Sequence, residues 1–215
     1  DKQLARLLEQ HDLFWNTAPE EWLDGIPLAN GEVGAMIWGD GEPLRITLDR
    51  YDCWELREQQ PDPEIYTYQN LRRLVEAGAE QTAKSDMVDR WRVPEKPHPT
   101  RLPMPRVELT VPGAEAFRGR LELMKACARG SIECAKGRLG WRAFMPDSEP
   151  LLLMELECGE GLPLPKVKVS LDHLTDEAKE TLEAWGYQKP ETGTADHGSH
   201  WLRLRFPAGG EYVVA

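Results

Sequence analysis

Hydrophobic and polar positions along this chain change period several times. In 44-LRITLDRY-51, Leu44, Ile46 and Leu48 alternate with Arg45, Thr47 and Asp49, the period-two pattern of a half-buried strand. Just before it, 33-VGAMIWG-39 is apolar and bounded by glycines, a second strand signal. The intervening 39-GDGEP-43 has the Asp-Gly chemistry of a hairpin turn. Upstream, Asn30-Gly31 predicts another tight turn, because both residue types tolerate positive φ. Two strands of similar length joined at 39–43 would bring residue 50 or so opposite residue 31, with Trp54 just beyond.

Helical spacing interrupts this pattern. Residues 3–10 predict a short amphipathic helix. Tyr68, Leu71, Leu74, Val75 and Ala79 fall on one helical face, Met87, Val88 and Trp91 continue it, and Gly78 separates two helices. The result is a helical insertion over about 66–92. The run 93-VPEKPHPTRLPMP-105 holds five prolines and reads as an extended crossover, after a Pro-rich loop around 61–64. Alternation returns in 106-RVELTV-111, and 118–136 reads as one long, mostly extended segment. Further strands are expected at 141–146, 150–158, 166–171, 201–206 and 211–215, with 188–200 turn-like. A helix over 176–185 has Thr175 as N-cap, Asp176 and Glu177 in its first turn, and Gly186 after its end.

Many short alternating strands separated by turn residues make the chain mainly β: an antiparallel, supersandwich-like β-sandwich with a few inserted helices, one domain over 1–215. No internal repeat is present. The chain ends on the apolar strand residues Tyr212, Val213 and Val214, so it is expected to continue into a longer protein.

Three segments in order, Trp22, then 26-IPLANGEVGAMIWG-39, then 44-LRITLDRYDCW-54, resemble the start of glycoside hydrolase family 95. The likeness continues through 70-NLRRLVEAGAEQTA-83, 102-LPMPRVELTV-111, 117-FRGRLELMKACARGSIECA-135 and 142-RAFMPDSEPLLLMELE-157. Ala29 stands where the family has Gly, and Asp49-Arg50 where it has Asn-Glu, which marks a divergent relative. The resemblance implies an N-terminal β-sandwich of a multidomain α-L-fucosidase or α-L-galactosidase relative. It further implies an (α/α)6 barrel in the same polypeptide that holds the catalytic acid and base. No catalytic residue is therefore assigned within these 215 residues.

Composition narrows the partners. A formal net charge of −11 speaks against nucleic acid and anionic membranes, which need clustered Lys and Arg. No stretch approaches the roughly 18 apolar residues that span a bilayer. Residues 1–15 lack the apolar core of a signal peptide, which leaves secreted, periplasmic and cytoplasmic locations open. Cys53, Cys127, Cys134 and Cys158 have neither zinc nor redox spacing and are expected as buried free thiols. The pair in 197-HGSH-200 lacks a third ligand, Ser131 and Ser148 lack a nucleophile elbow, and no phosphate loop occurs, so no cofactor is expected.

The resemblance implies a carbohydrate substrate. Glycoside hydrolysis needs two positioned carboxyl groups, and none of the acidic residues here sits in a distinctive catalytic run. Eight tryptophans are many for this length, and Trp15, Trp22, Trp38 and Trp54 crowd the opening segment. Aromatic faces stack on sugars and the indole N–H donates a hydrogen bond. Trp54, at a strand end beside Asp52 and Glu55, is the first candidate for substrate binding, with Asn30 and Asp49 after it. Three roles follow: an accessory domain packed on a catalytic barrel, an autonomous carbohydrate-binding sandwich exposing aromatics on one sheet face, or a purely structural assembly domain.

Overall fold

The computed structural model describes residues 2–57, 62–91, 96–195 and 199–215. In chain order the elements are α1 Lys2–Glu9, β1 Leu13–Trp15, β2 Ile26–Ala29, β3 Val33–Trp38, β4 Leu44–Arg50 and β5 Trp54–Glu55. Next come α2 Tyr68–Glu76, α3 Glu80–Met87, β6 Thr100–Arg101, β7 Arg106–Thr110, β8 Ala114–Glu122, β9 Cys127–Cys134 and β10 Gly137–Phe144. The chain closes with β11 Leu153–Cys158, β12 Lys166–Ser170, α4 Asp176–Ala184, β13 Glu191–Thr194, β14 His200–Arg205 and β15 Glu211–Val214. Among the described residues strand exceeds helix, 39% against 20%, so the fold is mainly β as the alternation predicts.

Two five-stranded antiparallel sheets form the sandwich, in the orders β1-β8-β9-β10-β11 and β12-β7-β4-β3-β2. Alternation decides which side chains meet between them. Ile26, Ile37, Leu44 and Ile46 come from one sheet, and Phe117, Ile132, Leu139 and Trp141 from the other. Trp141 lies over Gly130, its directly paired neighbour on β9, and stacks on Phe117 at 6.0 Å between ring centroids. The same device recurs where Trp201 covers Gly193 in the three-stranded sheet β13-β14-β15. That sheet and α4 build a second apolar cluster around Leu171, Trp185, Tyr187, Leu202 and Leu204. Leu48 at the end of β4 packs against both clusters.

The helices follow their capping chemistry. Thr67 and Thr175 accept hydrogen bonds from the N–H groups of Asn70 and Ala178. Both helices close in the same way. The N–H groups of Ala79 and Tyr187 reach back to the carbonyls of Leu74 and Leu182, with Gly78 and Gly186 at positive φ in between. The insertion expected over 66–92 is thus two helices plus a 3-10 turn at Asp89–Trp91, with Arg92 outside the described residues.

Four expectations need correction. Residues 118–136 are not one strand but the hairpin β8–β9, turned at Leu123–Lys125. Its turn carries no Gly, Pro or Asn. Ala126 adopts positive φ instead, and the Asp12 carboxylate accepts the Leu123 N–H at 2.9 Å. The strands β1 and β13 went unrecognised. β1 is three residues long, and β13 lies in a segment read as turn-like, where Trp201 supplies the apolar cover. The β3–β4 register pairs Arg50 with Val33, two positions past residue 31, because the first β3–β4 pair is Trp38 with Arg45 and Leu44 at the start of β4 pairs only with β7. Finally, Cys53, Cys127 and Cys134 are buried free thiols, but Cys158 is only half-buried.

Candidate functional site

One end of the sandwich gathers all three candidate residues. Asn30 opens the β2–β3 turn, and its side-chain oxygen accepts the N–H groups of Glu32 and Val33 at 3.1 and 3.0 Å. Its amide nitrogen donates across to the other sheet's β10–β11 loop, to the carbonyls of Pro146 at 2.6 Å and Glu149 at 2.8 Å. Every hydrogen-bonding position of this amide is used, so Asn30 is a clasp between the two sheets. Asn30→Ala removes both cross-sheet bonds. It is expected to lower stability by about 1–2 kcal/mol in urea denaturation, where a neutral effect would show that the clasp is redundant.

The β4 end lies beside this turn, because the Tyr51 N–H donates to the Glu32 carbonyl at 3.0 Å. Trp54 follows on β5, is 39% exposed, and donates its indole N–H to the Tyr51 carbonyl at 2.9 Å. Arg101, on the paired strand β6, lies over the Trp54 ring at 5.4 Å. It also ion-pairs with Asp49 and donates to the Arg50 carbonyl at 3.1 Å. The Asp49 carboxylate raises the guanidinium's pKa, so Arg101 is a fixed cation. Arg50 pairs with Asp52 at 2.7 Å. Beneath them Cys53 is buried, and burial followed by the Asp52 charge pushes its thiol up, away from thiolate chemistry.

The outcome is a polar rim with two exposed aromatics, Tyr51 at 59% and Trp54, above a fixed Arg–Asp pair. It can donate and accept hydrogen bonds and offer ring faces. Arg101 and Tyr51 were not singled out from sequence. The Trp54–Arg101 pairing joins segments separated by the whole helical insertion, and no local pattern announces it.

Directly behind the rim, Glu55 points inward and is 3% exposed. It accepts from the Arg57 backbone N–H at 2.7 Å, from Arg57 Nε at 3.0 and 3.1 Å and Nη2 at 2.7 Å, and from the Tyr187 hydroxyl at 2.8 Å. Burial raises its pKa, but these donors outweigh it and the net direction is below the ordinary carboxylate value of 4.5. Burial and the Glu55 charge push the Tyr187 phenol up. This cluster ties β5 to the second apolar cluster.

Among the described residues, no group of three or more His, Cys, Asp and Glu could hold a metal ion. His197 lies outside the described residues, while His200 on β14 has its Nδ1 3.5 Å from the Thr194 hydroxyl. Among the described residues no helix is long and apolar enough to cross a membrane.

Comparison with known families decides the kind of protein. Residues 13–203 match the family described as glycosyl hydrolase family 65, N-terminal domain. The chain belongs to this family. No curated protein matches it. Family 65 N-terminal domains and the family 95 resemblance share one statement, a β-sandwich at the N-terminus of a glycoside hydrolase. The rim of this family 65 N-terminal domain comprises the β2–β3 turn, the β4–β5 link and the β10–β11 loop, all inside the matched range.

Proposed function

We propose that the chain is the non-catalytic N-terminal domain of a multidomain glycoside hydrolase resembling the family 95 fucosidases. It packs against an (α/α)6 catalytic barrel of the same polypeptide and lends its rim to the sugar pocket. The observation that carries this reading is Trp54, exposed on a rim braced by the Asn30 clasp and the Asp49–Arg101 pair. In this role the Trp54 ring stacks on a sugar face, and the Asp49–Arg101 pair keeps that ring in place.

The test uses the longer enzyme beside the 215-residue chain. Trp54→Ala in the enzyme is expected to raise KM for an aryl fucoside or galactoside about ten-fold with little change in kcat, as loss of one stacked contact of about 1.4 kcal/mol requires. The chain alone is expected to hydrolyse neither substrate. An unchanged KM would remove the rim from the pocket. Activity of the chain that vanishes on changing one of its carboxylates would overturn the non-catalytic reading.

A further inference from the structure

The outer face of the sheet β1-β8-β9-β10-β11 is distinct from the rim and holds a trough of about 810 Å³. Two cross-strand rows of side chains form it. In the first, Phe14, Arg120, Arg129, Arg142 and Glu155 stand side by side. Every arginine of this row is engaged: Arg120 with Asp12 at 2.6 Å, Arg129 with Glu122 at 3.0 Å, Arg142 with Glu155 at 3.4 Å. The second row runs Arg118, Ser131, Gly140, Glu157 across the same strands. Among the described residues, Arg118 and Glu157 form no salt bridge, unlike the arginines of the first row. Ser131 is 2% exposed and shares the outward face with Arg118. Its hydroxyl oxygen still reaches solvent at the floor of the trough and can meet a ligand hydroxyl there.

Gly140 sharpens the point. Its φ lies outside the left-handed region, and a Cβ there would meet Glu157 only at ordinary contact distances of 3.6–3.7 Å. Neither backbone nor packing requires glycine at this position. What it provides is a notch between Arg138 and Arg142 on β10, with the Glu157 carboxylate at its side. The arginines of the face are matched by Asp12, Glu122, Glu133, Glu155 and Glu157, so the trough is no polyanion site. A donor at one end and an acceptor at the other suit well-separated hydroxyls of an extended ligand, and Phe14, 63% exposed, supplies a ring face at the margin.

We propose that this trough binds a short neutral oligosaccharide. Arg118 donates at one end, Glu157 accepts at the other, Ser131 pairs with a ligand hydroxyl between them, and a sugar ring sits in the Gly140 notch. Arg118 and Glu157 are three strand spacings apart, about 14 Å, which suits an oligosaccharide better than a single sugar. This site does not depend on the rim or on the attached barrel.

The test is titration of the 215-residue chain with maltohexaose, cellohexaose and xyloglucan heptasaccharide, with tri-galacturonate as the acidic control, read by calorimetry and amide NMR shifts. Binding of at least one neutral oligosaccharide is expected, with the largest shifts at 118, 131 and 140. Arg118→Ala and Glu157→Ala should each weaken it about ten-fold, as loss of one charged hydrogen bond predicts. Gly140→Leu should abolish it at an unchanged melting temperature. The proposal is overturned if no neutral probe binds, if only the galacturonate binds, or if the shifts fall at 30–32 and 49–54. It is also overturned if a folded Gly140→Leu chain binds normally, or if the longer enzyme loses the binding, since the face would then be a contact between domains.

Discussion

Gly130→Ala is expected to lower the unfolding free energy by about 3 kcal/mol, while Gly140→Ala, on the neighbouring strand, changes it by less than about 0.5 kcal/mol. The difference lies in what an added methyl meets. At Gly130 it would come within 2.1 Å of the Arg118 carbonyl oxygen and 2.5 Å of the Trp141 ring. The first is backbone of the paired strand β8, which cannot rotate away. The second is a buried indole already stacked on Phe117. Accommodation therefore means moving a strand or expelling the ring from the centre of the core. At Gly140 the nearest atoms belong to Glu157, at 3.6 Å or beyond. Urea denaturation of the two variants measures the contrast, and equal costs would show that β8 shifts easily.

Glu55→Ala is expected to cost about 3 kcal/mol and to weaken the loss of stability in acid. The change strands Arg57 and the Tyr187 hydroxyl, which both donate to this carboxylate. Arg57 keeps the Trp185 carbonyl at 2.8 Å and is partly exposed, which holds the cost to the lower end for a broken buried pair. The pH dependence has a definite sign. The folded state holds the Glu55 pKa below 4.5, so its stabilisation is complete above pH 4.5 and disappears as pH falls through the lower folded value. Denaturation midpoints of the native protein should fall in this window, and those of the Glu55→Ala variant should fall less. Identical slopes would exclude Glu55 as a source of the acid sensitivity.

Local signals explain what the sequence disclosed. The strands with regular alternation, β4, β7 and β12, and the helices with Thr caps and closing glycines were legible because each rests on neighbours within a few positions. The β8–β9 turn was not, because its stabilising partner, Asp12, lies 111 residues upstream. The rim shows the same division. Asn30-Gly31 announced a turn, yet the cross-sheet bonds that make Asn30 a clasp go to Pro146 and Glu149. Trp54 was visible as an aromatic at a strand end, whereas Arg101 is brought to it by pairing across the helical insertion. The trough was hidden for a related reason. Arg118, Ser131, Gly140 and Glu157 become one row only through the registers of three strand pairs.

The topology also orders the events by which the sandwich closes. Strands β8 to β11 form an uninterrupted meander, each pairing with its successor through a short connection. The opposite sheet has β2, β3 and β4 in sequence, but β7 must join β4 from beyond the helical insertion, and β12 must join β7 from beyond the entire meander. Longer loops cost more entropy to close, so short hairpins form before such pairings. The Asn30 clasp links a turn of one sheet to a loop of the other and exists only after both sheets have met. The rim therefore reaches its final geometry only once the two layers are engaged, and that geometry reports whether they are.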